Sequence, residues 1–331
     1  MTKIKVLGRE IALPHTISII GLAKNVGKTT TLNHIIRNLP EEARPGVSST
    51  GLDGERYDSI TGKPKPRIFL KRGTFAATTD DCLSKSEARY ETIERTGMKT
   101  SMGEVMIIRA EEDGFFEIAG PCSITELSEV KKKFLALGCG AVIFDGSINR
   151  KASSSVRICD SLILASGLNA GAGILQAKSN LMFWKTIYDL PKFREFKAPE
   201  SERKFAVMVE DGAVSRSSDS INDLPPGPCR ALSVKGALTD QTALEILDAA
   251  IEPEAILAHE PSSIFVTPGT LARLNKKGRL FVREKAELRA ITLNPTSPSH
   301  IHESAAFFNE MKEACEPHDT FDVVAGLSAV Y

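Results

Sequence analysis

The chain has 331 residues, and its 42 basic and 42 acidic side chains leave no net charge at pH 7. Because this balance provides no overall field to attract nucleic acid or anionic lipid, we expect neither nucleic acid nor membrane as a partner. The apolar runs are far shorter than a membrane helix requires, and the N terminus lacks the apolar core of a signal peptide, so the sequence predicts a cytoplasmic protein.

Over the first half of the chain, short apolar runs alternate with helical patterns. The run TISII (16–20) predicts a buried strand, and KTTTLNHIIRNL (28–39) predicts a helix with one apolar face. EVMIIRA (104–110) and GFFEIAG (114–120) lie close enough in the chain to form a hairpin or adjacent strands. AVIFDG (141–146) and SLILASG (161–167) are continuous apolar runs without alternation, which is typical of strands buried on both faces. We therefore predict an α/β fold with a mostly parallel, doubly wound sheet between two helical layers.

A polar interval rich in proline and serine covers residues 191–230, and this composition marks loops or a domain boundary. We place a boundary near residue 200, between a first domain (1–200) and a second α/β region (201–331). The α/β pattern resumes in the second region, whose role the sequence leaves open. The alternative is that both regions belong to one domain.

The segment GLAKNVGKTTTLNH (21–34) joins the first buried strand to the helix that follows it. A loop at such a junction aims several backbone N–H groups at one point, where the helix dipole adds positive charge, so it attracts phosphate. Gly27 allows close approach of the backbone, Lys28 can reach terminal phosphates, and the Thr29 hydroxyl can ligate Mg²⁺. The predicted phosphate-binding residues are Lys24, Asn25, Val26, Gly27, Lys28, Thr29 and Thr30.

This loop departs from the phosphate-binding pattern GxxxxGK[ST] at one position. Leu22 occupies the site of the first glycine, and Gly21 lies one residue too early. The alternative interpretation is an ordinary strand–helix turn. The strand before it and the helix after it favour nucleotide binding, so we predict that residues 1–200 form a nucleotide-binding domain.

A magnesium nucleotide needs carboxylates near its phosphates, usually at the carboxyl ends of neighbouring strands. We predict that Asp53, in the glycine-rich loop SSTGLDGERYD (48–58), lies at the metal beside Glu117, which we place inside an apolar strand in FFEIAG (115–120). Burying Glu117 without a cation would be costly, and a solvent-facing edge is the alternative. The predicted catalytic residues are Lys28, Asp53 and Glu117, and the predicted metal residues are Thr29, Asp53 and Glu117.

Further polar residues each carry two interpretations. Asp145 is either a second acidic ligand or the cap of an Asp-Gly turn. Ser166, Asn169 and Gly171 either line the same crevice or reflect tight helix packing. The remaining ligand candidates, with a plain loop as the alternative, are Arg72 and Thr74 in RGTFAATTD (72–80), Thr267, Asn294 and Ser297 in turn clusters, and His300 and His302 as metal ligands.

The loop KNVGKTT (24–30) resembles the KNSGKTT loop of the molybdopterin-guanine-dinucleotide adaptor proteins, the MobB-like members of the SIMIBI class of P-loop NTPases. The resemblance implies a three-layer P-loop NTPase fold with ATP or GTP and Mg²⁺ as cofactors. No guanine-specifying [NT]KxD sequence occurs, which favours ATP. ParA-like members carry a signature lysine five residues before the catalytic one. That position is Ala23 here, with Lys24 next, so a role for Lys24 across a homodimer is open.

Three functions follow from these motifs. The first is a slow NTP-hydrolysing switch that acts on a protein partner or as a homodimer. GLAKNVGKTTTLN, GLDGE, TGMKTSMGEV, EIAGP and DGSINRK together resemble the KamB-like reactivase subunits encoded with B₁₂-dependent lysine aminomutase, which implies that aminomutase as the partner. The second is ATP-dependent ligation or phosphoryl transfer to a small carboxylate, because EIAGP and LILASGLNAG resemble segments of dethiobiotin synthetase. The third is structural nucleotide binding without turnover.

Overall fold

The structure is a computed structural model, and it describes residues 2–50, 67–148, 151–195, 201–209, 216–296 and 304–331. The chain divides into two compact units. Unit 1 comprises Met1–Met182 and Ala286–Tyr331, and unit 2 comprises Phe183–Lys285.

Strands and helices are numbered in chain order. The strands are β1 (Lys3–Val6), β2 (Arg9–Ala12), β3 (His15–Gly21), β4 (Gly46–Ser49), β5 (Ile68–Leu70), β6 (Phe75–Thr79), β7 (Tyr90–Thr100), β8 (Gly103–Ala110), β9 (Gly114–Phe116), β10 (Ala141–Ser147), β11 (Ser161–Gly167), β12 (Phe205–Met208), β13 (Arg216–Ser218), β14 (Gly227–Val234), β15 (Leu238–Thr239), β16 (Ile251–Ala258), β17 (Ile264–Phe265), β18 (Arg279–Val282), β19 (Glu287–Asn294), β20 (Asp319–Asp322) and β21 (Leu327–Ala329). The helices are α1 (Lys28–Asn38), α2 (Asp80–Leu83), α3 (Ile124–Ala136), α4 (Ile174–Asp189), α5 (Asp240–Asp248), α6 (Pro268–Lys277) and α7 (Ser304–Cys315). In the part of the chain that the structure describes, none of these helices is long and apolar enough to cross a membrane.

A large sheet forms the centre of unit 1. Its strands follow the order β21-β20-β19-β11-β3-β10-β4-β6-β8-β7. The strands from β20 through β6 are parallel to one another, and the pairs β20–β21, β6–β8 and β8–β7 are antiparallel. The central strands β3, β10 and β11 are buried along almost their whole length, which confirms the mostly parallel sheet predicted from their continuous apolar runs.

Helices cover both faces of this sheet. On one face, Leu32 and Ile36 of α1 belong to an apolar cluster that includes Ile143 of β10. On the other face, Phe134 of α3 belongs to a cluster that includes Phe144, the next residue of the same strand. Because successive side chains of a strand point to opposite faces, the two helices lie on opposite sides of β10. The predicted arrangement of a sheet between two helical layers is therefore present.

The end of the chain returns to the sheet of unit 1. β19 pairs in parallel with β11 from Glu287 to Asn294, and β20 pairs with β19. Unit 2 is therefore an insertion, and the chain changes unit after Met182 and after Lys285 instead of once near residue 200. The polar interval 191–230 that suggested the boundary lies inside unit 2, because proline and serine mark loops wherever they occur.

Unit 2 has its own sheet and apolar core. Its strand order is β13-β12-β14-β16-β18, in which β14, β16 and β18 are parallel. Ile246 of α5 and Leu274 of α6 belong to one buried cluster with Ile256 of β16. The strand–helix alternation predicted for the second half of the chain is thus seen in β14, α5, β16 and α6.

Two segments of unit 1 differ from their sequence interpretation. In RGTFAATTD (72–80), Phe75–Thr79 form the buried strand β6 between β4 and β8, where small alanines and threonines fit, instead of a loop. Arg72 lies in the exposed turn before this strand, and its role as a ligand residue stays a prediction. EVMIIRA (104–110) and GFFEIAG (114–120) are not neighbours either. β8 pairs with β6 and β7, whereas β9 pairs with β5. The first difference concerns where a strand forms and the second concerns which strands pair, and tertiary packing decides both.

Candidate functional site

The strand, loop and helix predicted around Lys28 are present. β3 ends at Gly21, a loop covers residues 22–27, and α1 begins at Lys28. Asn25 (φ 57°) and Gly27 (φ 88°) adopt the left-handed conformation where the chain turns from the strand into the helix. Glycine adopts this conformation without strain, and asparagine tolerates it better than most residues. The loop is therefore folded by residue types that the local sequence supplies.

The Lys28 side chain lies across the Cα atom of Gly21. A Cβ atom on residue 21 would lie 2.4 Å from Lys28 Cδ and 2.7 Å from Lys28 Nζ, so this lysine conformation requires glycine there. The Nζ atom donates a hydrogen bond to the Ala23 carbonyl at 3.3 Å. The Leu22 N–H donates to the Ala165 carbonyl of β11 at 3.0 Å. The last residue of the strand thus makes room for the lysine, which accounts for a glycine at position 21.

Helix α1 directs an open N terminus toward the same loop. Its N-cap residue Gly27 makes no side-chain capping bond, and the first turn of this fully described helix holds no acidic residue. Thr29 is half-buried on that turn, whereas Lys24 and Thr30 are exposed. Val26 is buried beneath the loop at 1% exposure. The partial positive charge of the helix N terminus is suited to an anion.

Asp145 brings a carboxylate into this region. β10 lies beside β3, with Asp145 opposite Ile19 and Ser147 opposite Gly21, so the Asp145 side chain is on the sheet face that Lys28 covers. Asp145 Oδ1 is buried and has no hydrogen-bond partner among the described residues. Burial raises the pKa of Asp145 to about 6, and the nearby Lys28 charge opposes this rise. Because Asp145 lies inside β10, its interpretation as a turn cap is wrong.

These groups fit a magnesium ion that is bound together with a phosphate. Mg²⁺ prefers oxygen ligands and is commonly held by one or two carboxylates, with water and phosphate oxygens completing its shell. The Thr29 hydroxyl and the unpartnered Asp145 oxygen are donors of this kind. The described residues contain no cluster of three or more histidine, cysteine or acidic side chains that could hold a metal alone.

Glu117 lies just beyond a strand, on a loop. β9 ends at Phe116, so the prediction that Glu117 is inside an apolar strand is wrong. The Glu117 carboxylate is 3.3 Å from Lys85 Nζ, and its side chain is 29% exposed. The burial argument for a cation at Glu117 therefore no longer applies, because the carboxylate is partly solvated and paired. Its role at a metal stays a prediction.

The loop 117–120 nevertheless reaches the carboxyl end of the sheet, where Asp145 lies. The Gly120 N–H donates to the Ser49 carbonyl at 3.1 Å. Ser49 ends β4, and its register partner on β10 is Asp145. Lys28, Asp145 and this loop thus lie together at the carboxyl end of the sheet, where β3, β4 and β10 end.

Two asparagines from distant segments bind the loop after β3. Asn169 follows β11 and Asn294 ends β19, and their side-chain amides donate to the Asn25 carbonyl at 3.2 Å and 2.9 Å. The sequence marked both asparagines only as residues that could face a ligand. Their positions at the ends of predicted strands indicated that they could lie near a site. The sequence does not show that those strands lie near β3 in the sheet.

Other predicted residues take no part in this site or cannot be placed in it. Thr267, in unit 2, caps helix α6 by accepting a hydrogen bond from the Thr270 N–H, which is a structural role. Four candidates lie outside the described residues, and their roles stay predictions. They are Asp53, Ser297, His300 and His302.

Comparison with known proteins adds no functional assignment. No family model matches the sequence. No curated protein matches it. Among solved structures, the chain is similar to the signal recognition particle receptor FtsY from Elizabethkingia anophelis, with 10% identity, a TM-score of 0.27, and coverage of 90% of this chain and 65% of that chain. A similarity this remote carries no argument, so the function is inferred from the site itself.

Proposed function

We propose that this protein binds a magnesium nucleoside triphosphate, with ATP as the first candidate, at the loop between β3 and α1. The observation that carries the proposal is the Lys28 side chain, which lies over Gly21 near Asp145, whose buried Oδ1 atom has no hydrogen-bond partner among the described residues. A phosphate at the N terminus of α1 would meet backbone N–H groups and the lysine ammonium. A magnesium ion beside it would meet the oxygen of Asp145.

In this proposal each residue of the loop has a stated role. Lys28 exchanges its contact with the Ala23 carbonyl for the terminal phosphates, and the backbone of residues 24–30 surrounds the phosphate chain. Thr29 and Asp145 hold the metal, which supplies charge neutralisation at the phosphates. Asp53 and Glu117 are proposed as further groups near the metal, with Glu117 acting from the loop that also reaches Ser49.

We propose that slow hydrolysis at this site switches the protein between states that bind and release a protein partner. The glycine-rich segment 48–58 is the proposed switch, since a terminal phosphate and Mg²⁺ can order such a loop. The resemblance to KamB-like reactivase subunits supports a B₁₂-dependent aminomutase as that partner. A homodimer that uses Lys24 is the alternative assembly.

Substitution of Lys28 tests nucleotide binding directly. We expect Lys28→Ala to weaken binding of Mg-ATP at least tenfold, about 1.4 kcal/mol, because the phosphates lose their only ammonium partner in the proposal. Calorimetric titration with ATP and GTP, each with Mg²⁺, measures the effect and decides the base. Lys132→Ala, at an exposed lysine of α3, is the matched control. Equal affinities for the Lys28 variant and the wild type would refute the proposal.

A second candidate function is ATP-dependent phosphoryl transfer to a small carboxylate. It is favoured by an open cavity of about 140 Å³ between the β7–β8 turn and residues 119–126, which lead into α3. Lys99 and Ser101 line it with polar groups, while Met102 and Ala119 contribute apolar surface. Gly120 belongs both to this cavity and to the contact with Ser49.

A turnover assay separates the two functions. A switch hydrolyses ATP slowly without any small substrate and faster with its protein partner. A transferase hydrolyses ATP only when a small carboxylate or amine is added, and Lys99→Ala should then raise the KM of that substrate. Phosphate release that no panel of carboxylates and amines stimulates would exclude the transferase.

A further inference from the structure

The carbonyl oxygen of Asn25 accepts hydrogen bonds from two side chains. Asn294 Nδ2 lies 2.9 Å from this oxygen, and Asn169 Nδ2 lies 3.2 Å from it. The three residues are far apart in the chain, since Asn169 follows β11 and Asn294 ends β19, the strand that follows unit 2. We call Asn169 and Asn294 the asparagine clamp.

Neighbouring contacts fix the orientation of Asn294. Its Oδ1 atom accepts hydrogen bonds from the Thr296 N–H at 3.2 Å and from the Thr296 hydroxyl at 2.8 Å. With the oxygen engaged in this way, the amide nitrogen faces Asn25. The Asn294 side chain also packs against Gly27, because a Cβ atom there would lie 3.2 Å from Asn294 Cβ. Asn294 therefore contacts the loop at two of its left-handed residues.

The clamp determines the direction of a backbone N–H group. The Asn25 carbonyl and the Val26 N–H belong to one trans peptide, in which the C=O and N–H bonds point in opposite directions. Because the clamp holds the carbonyl oxygen, it also directs the Val26 N–H away from the asparagines. A carbonyl that rotated toward a bound phosphate would repel it, whereas an N–H attracts it.

We propose that Asn169 and Asn294 are positioning residues that hold the loop 22–27 in its anion-binding conformation before the ligand arrives. The expected effect of the clamp on ligand affinity rests on the proposed nucleotide function, but the clamp itself can be tested without any nucleotide. It explains how a loop with leucine at position 22 keeps a defined shape. The side-chain amides of Asn169, after β11, and Asn294, at the end of β19, constrain the loop from outside it.

Hydrogen exchange of the ligand-free, full-length protein is the first test. We expect Asn294→Ala to accelerate exchange of the amides of residues 22–28 by about three- to tenfold, the range set by the loss of one hydrogen bond. The isosteric Asn294→Asp should act in the same way, because a carboxylate cannot donate to the Asn25 carbonyl. Asn38→Ala, which removes an amide donor at the other end of α1, is the control.

Unchanged exchange in the alanine variant would overturn the clamp. Exchange that is fast in Asn294→Ala but as slow as in the wild type in Asn294→Asp would also overturn it. The shape of the side chain, and not its donated hydrogen bond, would then hold the loop.

Affinity for Mg-ATP is the second test. We expect Asn294→Ala to raise the Kd by about three- to tenfold with an unchanged melting temperature. Asn169→Ala should have a smaller effect, and the double variant should lose less than the product of the two, because both amides share one acceptor. An affinity loss that only follows a falling melting temperature would refute a positioning role. If the wild type binds no nucleotide, the proposed function fails, and the exchange result still decides the clamp.

Discussion

At the scale of single residues, the positions of Gly21 and Lys28 depend on each other. The glycine carries no side chain where the lysine crosses the end of β3, and its backbone is not in the left-handed region. Glycine is therefore required at position 21 because there is no space for a side chain, and not because of its backbone conformation. A glycine at the end of a strand is easily read as a misplaced member of the loop pattern, whereas here it determines where the ammonium group lies.

Gly21→Ala should therefore separate function from stability. The added methyl group would collide with flexible atoms of Lys28, which can move, so we expect the free energy of unfolding to change by less than about 1 kcal/mol. Mg-ATP affinity should fall about fivefold or more because the ammonium is displaced. Urea unfolding and calorimetry measure the two effects. Gly269→Ala, where the added atom meets open space, is the control. Full affinity in the Gly21 variant would contradict the assigned lysine position.

Asp145 is expected to destabilise the ligand-free protein above neutral pH. The pKa of Asp145 in the folded protein, about 6, lies above its ordinary value of 3.8, so the folded state binds the proton more tightly than the unfolded state does. The free energy of unfolding therefore decreases as pH rises from about 4 to 6. Asp145→Asn should therefore be more stable than the wild type at about pH 8, by about 2 to 4 kcal/mol, and by much less at about pH 4. Urea unfolding at both pH values measures this difference.

The same substitution should weaken binding of Mg-ATP, because the metal loses an anionic oxygen. Asp81→Asn, at an exposed aspartate of α2, serves as the control for both measurements. A variant that is less stable than the wild type at high pH would show that the Asp145 carboxylate already has a partner.

At the scale of elements, the site is made by strand ends that are neighbours in the sheet but not in the chain. β3 supplies the loop, β10 the buried carboxylate, and β11 and β19 lead to the two asparagines. Helix α1 is tied to β19 as well, because the buried Thr31 hydroxyl donates to the Thr292 hydroxyl at 2.9 Å. The first turn of α1 is thus held against β19.

Gly120→Ala should displace the loop that carries Glu117. A Cβ atom at this position would lie 2.4 Å from the Ser49 carbonyl oxygen, a backbone atom that cannot rotate away. We expect a loss of about 1 to 3 kcal/mol in the free energy of unfolding, as for overpacked sites, measured by urea denaturation. Gly173→Ala has open space around the added atom and should change little. Wild-type stability in the Gly120 variant would mean that this loop does not pack on β4.

At the scale of the whole molecule, the two ends of the chain meet in unit 1. The Arg9 guanidinium pairs with both oxygens of Asp319, with one bond from Nη2 at 2.9 Å, and also donates to the Tyr331 carbonyl at 3.3 Å. The Tyr331 N–H donates to the same aspartate at 3.0 Å. The Asp319 side chain is 1% exposed, so these bonds compensate a buried charge.

Arg9→Ala should destabilise unit 1 by about 1 to 3 kcal/mol, less than for a fully buried pair because the Arg9 side chain is 40% exposed. The hydrogen bond from Arg9 lowers the pKa of Asp319 below 3.8. The stabilisation by the Arg9–Asp319 ion pair is therefore present above about pH 4, and it is lost as pH falls through the lowered pKa of Asp319. The difference between wild type and variant in urea unfolding should shrink from about pH 7 to pH 3. Arg89→Ala, at an exposed ion pair, should cost under about 1 kcal/mol.

The sequence by itself determined the features that local chemistry sets. The apolar run before Gly21, the glycine at position 27 and the helical spacing after Lys28 predicted a strand, a loop and a helix without reference to the rest of the chain. Continuous apolar runs likewise predicted parallel strands buried on both faces, because burial on both sides removes the polar alternation.

Only the tertiary structure decided which distant groups join this loop. Asp145 lies next to it because β10 pairs with β3, and Asn294 reaches Asn25 across 269 residues of sequence separation. It also showed Glu117 paired with Lys85, and unit 2 inserted within unit 1. Strand pairing depends on packing across the whole sheet, so a local pattern can indicate a strand but not its neighbours.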